Sequence, residues 1–279
     1  MRRFGMARRV LWVIWALAAC VLAAVAPTST LPAPTRAPSA TPSLPALIPT
    51  ISADPQAVTF STADGATLNG ALYGSGDTAV IFSLMGSCKE GWAELAKETA
   101  KQGLLALTYQ WRACQANSVD EVLIRKFLDD TRGAIEFVRA QGAERIILVG
   151  ASLGGCASAK LAVEAQAVGL VVLAAPEAIS EWGFRIDAAD LATDGPKLFI
   201  TAESDPVVPP QATRALYDLA AAPKEWQTYP GAAHGTDLLT VPDGDEVKQR
   251  ILQFILAAAG QEQSLRPSPW TALDDAHWP

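Results

Sequence analysis

The chain has 279 residues, of which 50% are hydrophobic and 18% charged, so a wholly disordered or collagen-like protein is excluded. Lys and Arg number 22 against 29 Asp and Glu, a net charge of −7 that argues against binding nucleic acid phosphates. Four cysteines are too few for a disulfide scaffold, and two histidines, His234 and His277, cannot build a multi-imidazole zinc site.

Residues 1–9 are basic and Val10 to Ala26 carry no charge, the pattern of a secretory leader or a short membrane anchor. Leu17-Ala18-Ala19-Cys20 resembles a bacterial lipobox, which makes residues 1–19 a signal peptide and Cys20 a lipid anchor. Because the apolar run continues to Ala26, an uncleaved anchor is a second reading, and ordinary secretion a third. All three place the folded part outside the cytoplasm. Loss of Arg2, Arg3, Arg8 and Arg9 with the leader leaves 18 positive residues against 29 negative, or −11. The rest of the stretch 20–55 is rich in Pro, Thr and Ser, which reads as a semi-extended linker.

One large folded region follows over 56–260. Ala57 to Thr62 and Thr67 to Tyr73 form a hairpin turned by Asp64-Gly65. Thr78 to Ser83 is a short apolar run typical of a buried strand, Glu90 to Gln102 an amphipathic helix stopped by Gly103, and Leu104 to Tyr109 another strand. Ser118 to Glu121 reads as a capping box that opens one long helix ending near Gly142. Strands at Arg145 to Val149, Gly169 to Ala174, Lys197 to Thr201 and Glu225 to Tyr229 alternate with helices at 152–166, 210–221 and 243–259. That alternation predicts an α/β fold, a mostly parallel eight-stranded sheet with helices on both faces. The stretch 261–279 reads as a C-terminal tail, and His277 as a solvated residue within it.

In such sheets chemistry gathers at the carboxyl ends of the strands. After the strand ending at Val149 comes Gly150-Ala151-Ser152-Leu153-Gly154-Gly155, a G-x-S-x-G elbow between strand and helix. The turn forces strain on Ser152, and side chains at 150 or 154 would collide with neighbouring elements. It lifts the Ser152 hydroxyl clear of the sheet and aims the Leu153 amide at a developing oxyanion. A serine hydroxyl needs a base, and His234, in Pro230-Gly-Ala-Ala-His234-Gly after a strand, is the placed candidate. Asp205, in the proline-braced loop after Lys197 to Thr201, is the candidate acid that orients it. Glu177 and Glu203 are rival acids, and capping of the helix near Pro210 is the other use open to Asp205.

The order Ser152, Asp205, His234, with GASLGG, ESDPVVP and GAAHG around them, resembles the α/β-hydrolase family over about residues 56–259, in particular serine esterases and dienelactone hydrolases. The resemblance implies that the second oxyanion donor is the backbone N–H of Leu84, although Ser83 stands where members often carry histidine. It also implies a structural arginine at Arg112, in Tyr109-Gln-Trp-Arg112, and it makes the loops holding Cys88 and Cys114 neighbours, so a disulfide between them is expected. Cys156 is expected to be a buried small hydrophobe. With only about twenty residues between Pro176 and Pro196 the cap is minimal, which suits small or extended acyl substrates, and Trp182 and Phe184 either line the site or cover the core. The activity implied is cleavage of a carboxylic ester through an acyl-enzyme, with a small-molecule ester or acyl substrate as partner and neither metal nor organic cofactor. A peptidase or acyltransferase using the same triad, and a binding lipoprotein that keeps the fold without turnover, are the alternatives.

Overall fold

The computed structural model describes residues 54–85, 91–117 and 120–261. The leader, Cys20, nearly all of the linker, Cys88, Ser118 and the C-terminal tail with His277 lie outside the described residues. Among those described, no helix is long and apolar enough to cross a membrane.

The elements run β1 (Gln56–Ser61), β2 (Thr67–Tyr73), β3 (Thr78–Met85), α1 (Ala93–Lys101), β4 (Leu105–Tyr109), α2 (Arg112–Gln115), α3 (Glu121–Ile124), α4 (Phe127–Ala140), β5 (Arg145–Ser152) and α5 (Leu153–Leu161). They continue as β6 (Gly169–Leu173), β7 (Ala178–Ile179), β8 (Phe184–Arg185), β9 (Lys197–Ala202), α6 (Pro210–Leu219), β10 (Lys224–Tyr229) and α7 (Gly244–Ala258). Eight strands make one sheet in the order β1-β2-β4-β3-β5-β6-β9-β10. The β1–β2 and β2–β4 pairs are antiparallel and every other pair is parallel, as the alternation of strands and helices predicted.

The central strands are mostly apolar because both faces are covered. Ile81, Leu107, Leu148, Val172 and Phe199 point into one core layer with Phe127, Ile135 and Val138 of α4. Val80, Phe82, Val149, Leu173 and Ile200 point into the other, against Leu95 of α1 and Val247, Ile251 and Ile255 of α7.

Two predicted elements need correction. The single long helix expected from Ser118 is two: Asp120, not Ser118, caps α3 by accepting from the Val122 N–H (2.9 Å), and α4 restarts at Phe127. The break has a packing cause. No residue of α3 is buried, whereas Phe127 must enter the core, and a continuous helix has one axis for both. The helix expected over 152–166 stops at Leu161. The segment 176–196 holds the small β7–β8 hairpin and no large cap, as its length predicted. Within it Trp182 and Phe184 pack on Phe127, with ring centroids 6.3 and 5.3 Å away, so they cover the core.

Arg112 is a structural anchor. Its Nε donates to Asp130 Oδ1 (2.7 Å) and its terminal nitrogens to Asp64 (2.7 and 2.9 Å), which ties the segment after β4 to α4 and to the β1–β2 turn. Asp130 is fully buried, so its carboxylate depends on that fork for charge compensation. The guanidinium beside Asp64 holds that carboxyl well below the usual carboxylate range.

Candidate functional site

The β5–α5 junction is built by what two residues lack. A Cβ at Gly150 would collide with the Gly154 carbonyl and lie 2.6 Å from Ser158 Oγ. Gly155 is confined as well: a Cβ there would stand 2.8 Å from that of Ala175. Squeezed between them, Ser152 takes φ 55° and ψ −127°, a strained conformation for a residue with a side chain. Its hydroxyl makes no cap bond to α5 and is left to other partners. Leu153 opens the helix, so its N–H is one of the amides that an α-helix leaves without an internal partner.

The base comes from the loop after β10. His234 Nδ1–H donates to Asp205 Oδ2 (2.8 Å), which leaves Nε2 to accept the Ser152 hydroxyl hydrogen (3.0 Å). Asp205 has a fully buried side chain, and its second oxygen accepts from the amides of Val207 (2.8 Å) and Val208 (3.0 Å). Two backbone donors and one imidazole therefore occupy a carboxylate that would otherwise lose its hydration uncompensated.

Asp205 does not cap α6, whose N-terminal flank is Pro209. The rivals differ in place: Glu203 is exposed and Glu177 half-buried, and it is the Asp205 carboxylate that meets the ring. The acid and base loops are stitched together by Glu203 N–H to the Tyr229 carbonyl and Ser204 N–H to the Gly231 carbonyl, both 2.9 Å. The acid-to-imidazole distance is thus set by backbone at the β9–β10 edge.

Leu84 lies within β3, paired with Ala151, and the next pair is Met85 with Ser152, so β3 runs level with the nucleophile. Ser83, where the histidine of the resembling family would stand, is fully buried, with its Oγ 2.9 Å from the Tyr109 hydroxyl. That contact, and the indole of Trp92 that donates to the Ser83 carbonyl (3.2 Å), were not apparent from the sequence. Their only sequence signal is a serine where members of the resembling family often carry histidine.

Cys156 is buried with its Sγ 3.3 Å from the Pro176 carbonyl, and burial pushes its thiol up to about 12, which rules it out as a rival nucleophile at neutral pH. Cys114 is disulfide-bonded, and its partner lies outside the described residues. Among the described residues no cluster of three or more His, Cys, Asp or Glu could hold a metal ion.

No protein-family model matches this sequence, and neither does any curated protein. Solved structures match its fold. An esterase from Pyrococcus furiosus superposes over 73% of this chain and 92% of its own at a TM-score of 0.58 and 16% identity. An α/β serine hydrolase without a lid from Xanthomonas campestris covers 78% of this chain and 100% of its own, at 0.56 and 17%. The esterase domain of a Rhodothermus marinus protein covers 72% and 100%, at 0.56 and 18%. The chain has the α/β-hydrolase fold, and its Ser152, His234 and Asp205 stand in the mutual geometry of a serine-hydrolase active site.

Proposed function

We propose that the protein hydrolyses a small carboxylic ester outside the cytoplasm. The observation that carries this reading is the unbroken series Ser152 Oγ, His234 Nε2, His234 Nδ1, Asp205 Oδ2, with contacts of 3.0 and 2.8 Å. Ser152 attacks the ester carbonyl while His234 takes its proton, and Asp205 stabilises the imidazolium that results. The N–H groups of Leu153 and Leu84 receive the oxyanion. His234 then returns the proton to the leaving alcohol, forming the acyl-enzyme, and activates the water that releases the acid.

Three of the matched folds are named esterases or a serine hydrolase, which supports the reaction class. The short β7–β8 segment between β6 and β9 leaves no large cap over the site, which favours small or extended acyl groups over a long chain held in a tunnel.

The purified protein is expected to turn over p-nitrophenyl acetate, and His234→Ala to abolish most of that turnover because Ser152 then has no base. A folded protein inert towards a panel of short-chain esters, or a His234→Ala variant as active as the wild type, contradicts the proposal.

The leader and linker carry the cellular part of the reading: residues 1–19 removed, Cys20 lipidated, and the stretch to 55 holding the enzyme off the membrane. The bond between Cys88 and Cys114 belongs to the same oxidising setting. Mass mapping of membrane-extracted, unreduced protein is expected to find an acylated N-terminal Cys20 and a linked Cys88–Cys114 peptide pair. An intact Met1 terminus overturns the first assignment, and an alkylatable Cys88 the second.

A further inference from the structure

Resting on that hydrolase reading, we infer that Ser83, Tyr109 and Trp92 form a clamp that fixes the Ser83–Leu84 peptide, whose N–H is the proposed second oxyanion donor. The direction of each hydrogen bond follows from the series it belongs to. Thr131 Oγ1 donates to the Phe127 carbonyl (2.8 Å), so its one hydrogen is committed. Tyr109 donates its hydroxyl hydrogen to Thr131 Oγ1 (2.8 Å), so that one is committed too. The 2.9 Å contact between Ser83 Oγ and the Tyr109 oxygen therefore runs from Ser83 to Tyr109. Trp111 Nε1–H donates to the same oxygen (3.1 Å).

Every member of this series is buried: Ser83, Tyr109, Trp111 and Thr131. Burial also pushes the Tyr109 hydroxyl up to about 12, so it remains a neutral phenol at any pH the enzyme would meet. The series joins the end of β3 to β4, to the segment after β4 and to α4 on one side of the sheet.

The carbonyl of Ser83 is held from the other side. Trp92, buried in the layer that includes Phe82, donates its indole N–H to that oxygen at 3.2 Å. Ser83 is thus gripped by its hydroxyl through one core layer and by its carbonyl through the other. In a trans peptide the C=O of one residue and the N–H of the next share a rigid plane. Holding the Ser83 carbonyl and side chain therefore fixes the orientation of the Leu84 N–H. A donor aimed before the reaction stabilises a developing oxyanion without reorganisation, and a small misalignment is costly. Ser83 and Tyr109 are positioning residues here, since neither reaches the reacting atoms.

The test is a double-mutant cycle on ester turnover, with melting curves and fluorophosphonate labelling of Ser152 measured on each protein. Ser83→Ala is expected to lower kcat about tenfold with KM within about twofold, and Tyr109→Phe to do the same. Because both act through one contact, the double variant is expected to be no slower than the worse single variant. A purely structural role would lower the melting temperature and leave kcat of the folded enzyme unchanged. The clamp is overturned if folded Ser83→Ala keeps kcat within twofold of wild type, or if the two losses multiply in the double variant. Should Tyr109→Phe fail to fold, the kcat of Ser83→Ala decides alone. A wild type that neither turns over esters nor labels at Ser152 overturns the hydrolase reading itself, a result distinct from an active wild type matched by an equally active Ser83→Ala.

Discussion

Asp205→Asn is expected to lower kcat about ten-thousand-fold while leaving the fold intact. The carboxylate holds two kinds of partner: Oδ1 takes the amides of Val207 and Val208, and Oδ2 takes the Nδ1–H of His234. An asparagine side chain keeps its oxygen on the two backbone amides, because those donors need an acceptor. That turns its NH2 towards the imidazole. Facing a donor, Nδ1 must become the acceptor, so the ring hydrogen moves to Nε2 and points at Ser152 Oγ. The histidine is then in the tautomer that cannot take the serine proton. Shape and backbone bonds are nearly unchanged, so the melting temperature should move by only a few degrees. Turnover of a short-chain ester by wild type and variant, with circular dichroism as the control for folding, decides the matter. A variant within tenfold of wild type would show that Asp205 does not set the tautomer.

Gly150→Ala should act through the fold. The added methyl has no room: it meets the Gly154 carbonyl and lies 2.6 Å from Ser158 Oγ, a side chain that is itself fully buried. Backbone has to move, either β5 in the centre of the sheet or the first turn of α5, and both are buried. A cost above about 4 kcal/mol follows, the range of severe core strain. In a domain of this size that corresponds to a melting point lowered by roughly 8–16 °C, or to failure to fold. Gly65→Ala is the contrast. Gly65 has φ +84° in the β1–β2 turn but nothing within 4 Å of its would-be Cβ, so only conformational strain of about 1 kcal/mol applies. Equal melting points for the two variants would contradict the steric account of the elbow.

The parts legible in the sequence are those decided locally. Apolar runs such as Ile146 to Val149 and Leu170 to Leu173 read as strands because both sheet faces are covered, and G-x-S-x-G between strand and helix marks Ser152 by spacing alone. Matters decided at long range were not legible. Three carboxylates, Glu177, Glu203 and Asp205, follow strands in the right region. What selects Asp205 is the stitching of its loop to the loop after Tyr229, a contact between segments almost thirty residues apart. The division of the 120–140 helix depends on the Asp120 cap and on the demand of Phe127 for the core. That Gly155 faces Ala175 follows from how α5 settles on β6, which no periodicity encodes. Ser83 carries the same lesson: an apparent gap in a motif is filled by Tyr109, 26 residues later.

The central claim is that Ser152 is a nucleophile activated by His234. Its most direct test is covalent: incubate the folded protein with a fluorophosphonate, digest it, and locate the adduct by mass spectrometry beside Ser152→Ala and His234→Ala. A single phosphonyl group on the Ser152 peptide of the wild type, absent in Ser152→Ala and formed far more slowly in His234→Ala, is the result predicted here. Labelling of the wild type no faster than of Ser152→Ala, or an adduct on another residue, would contradict it.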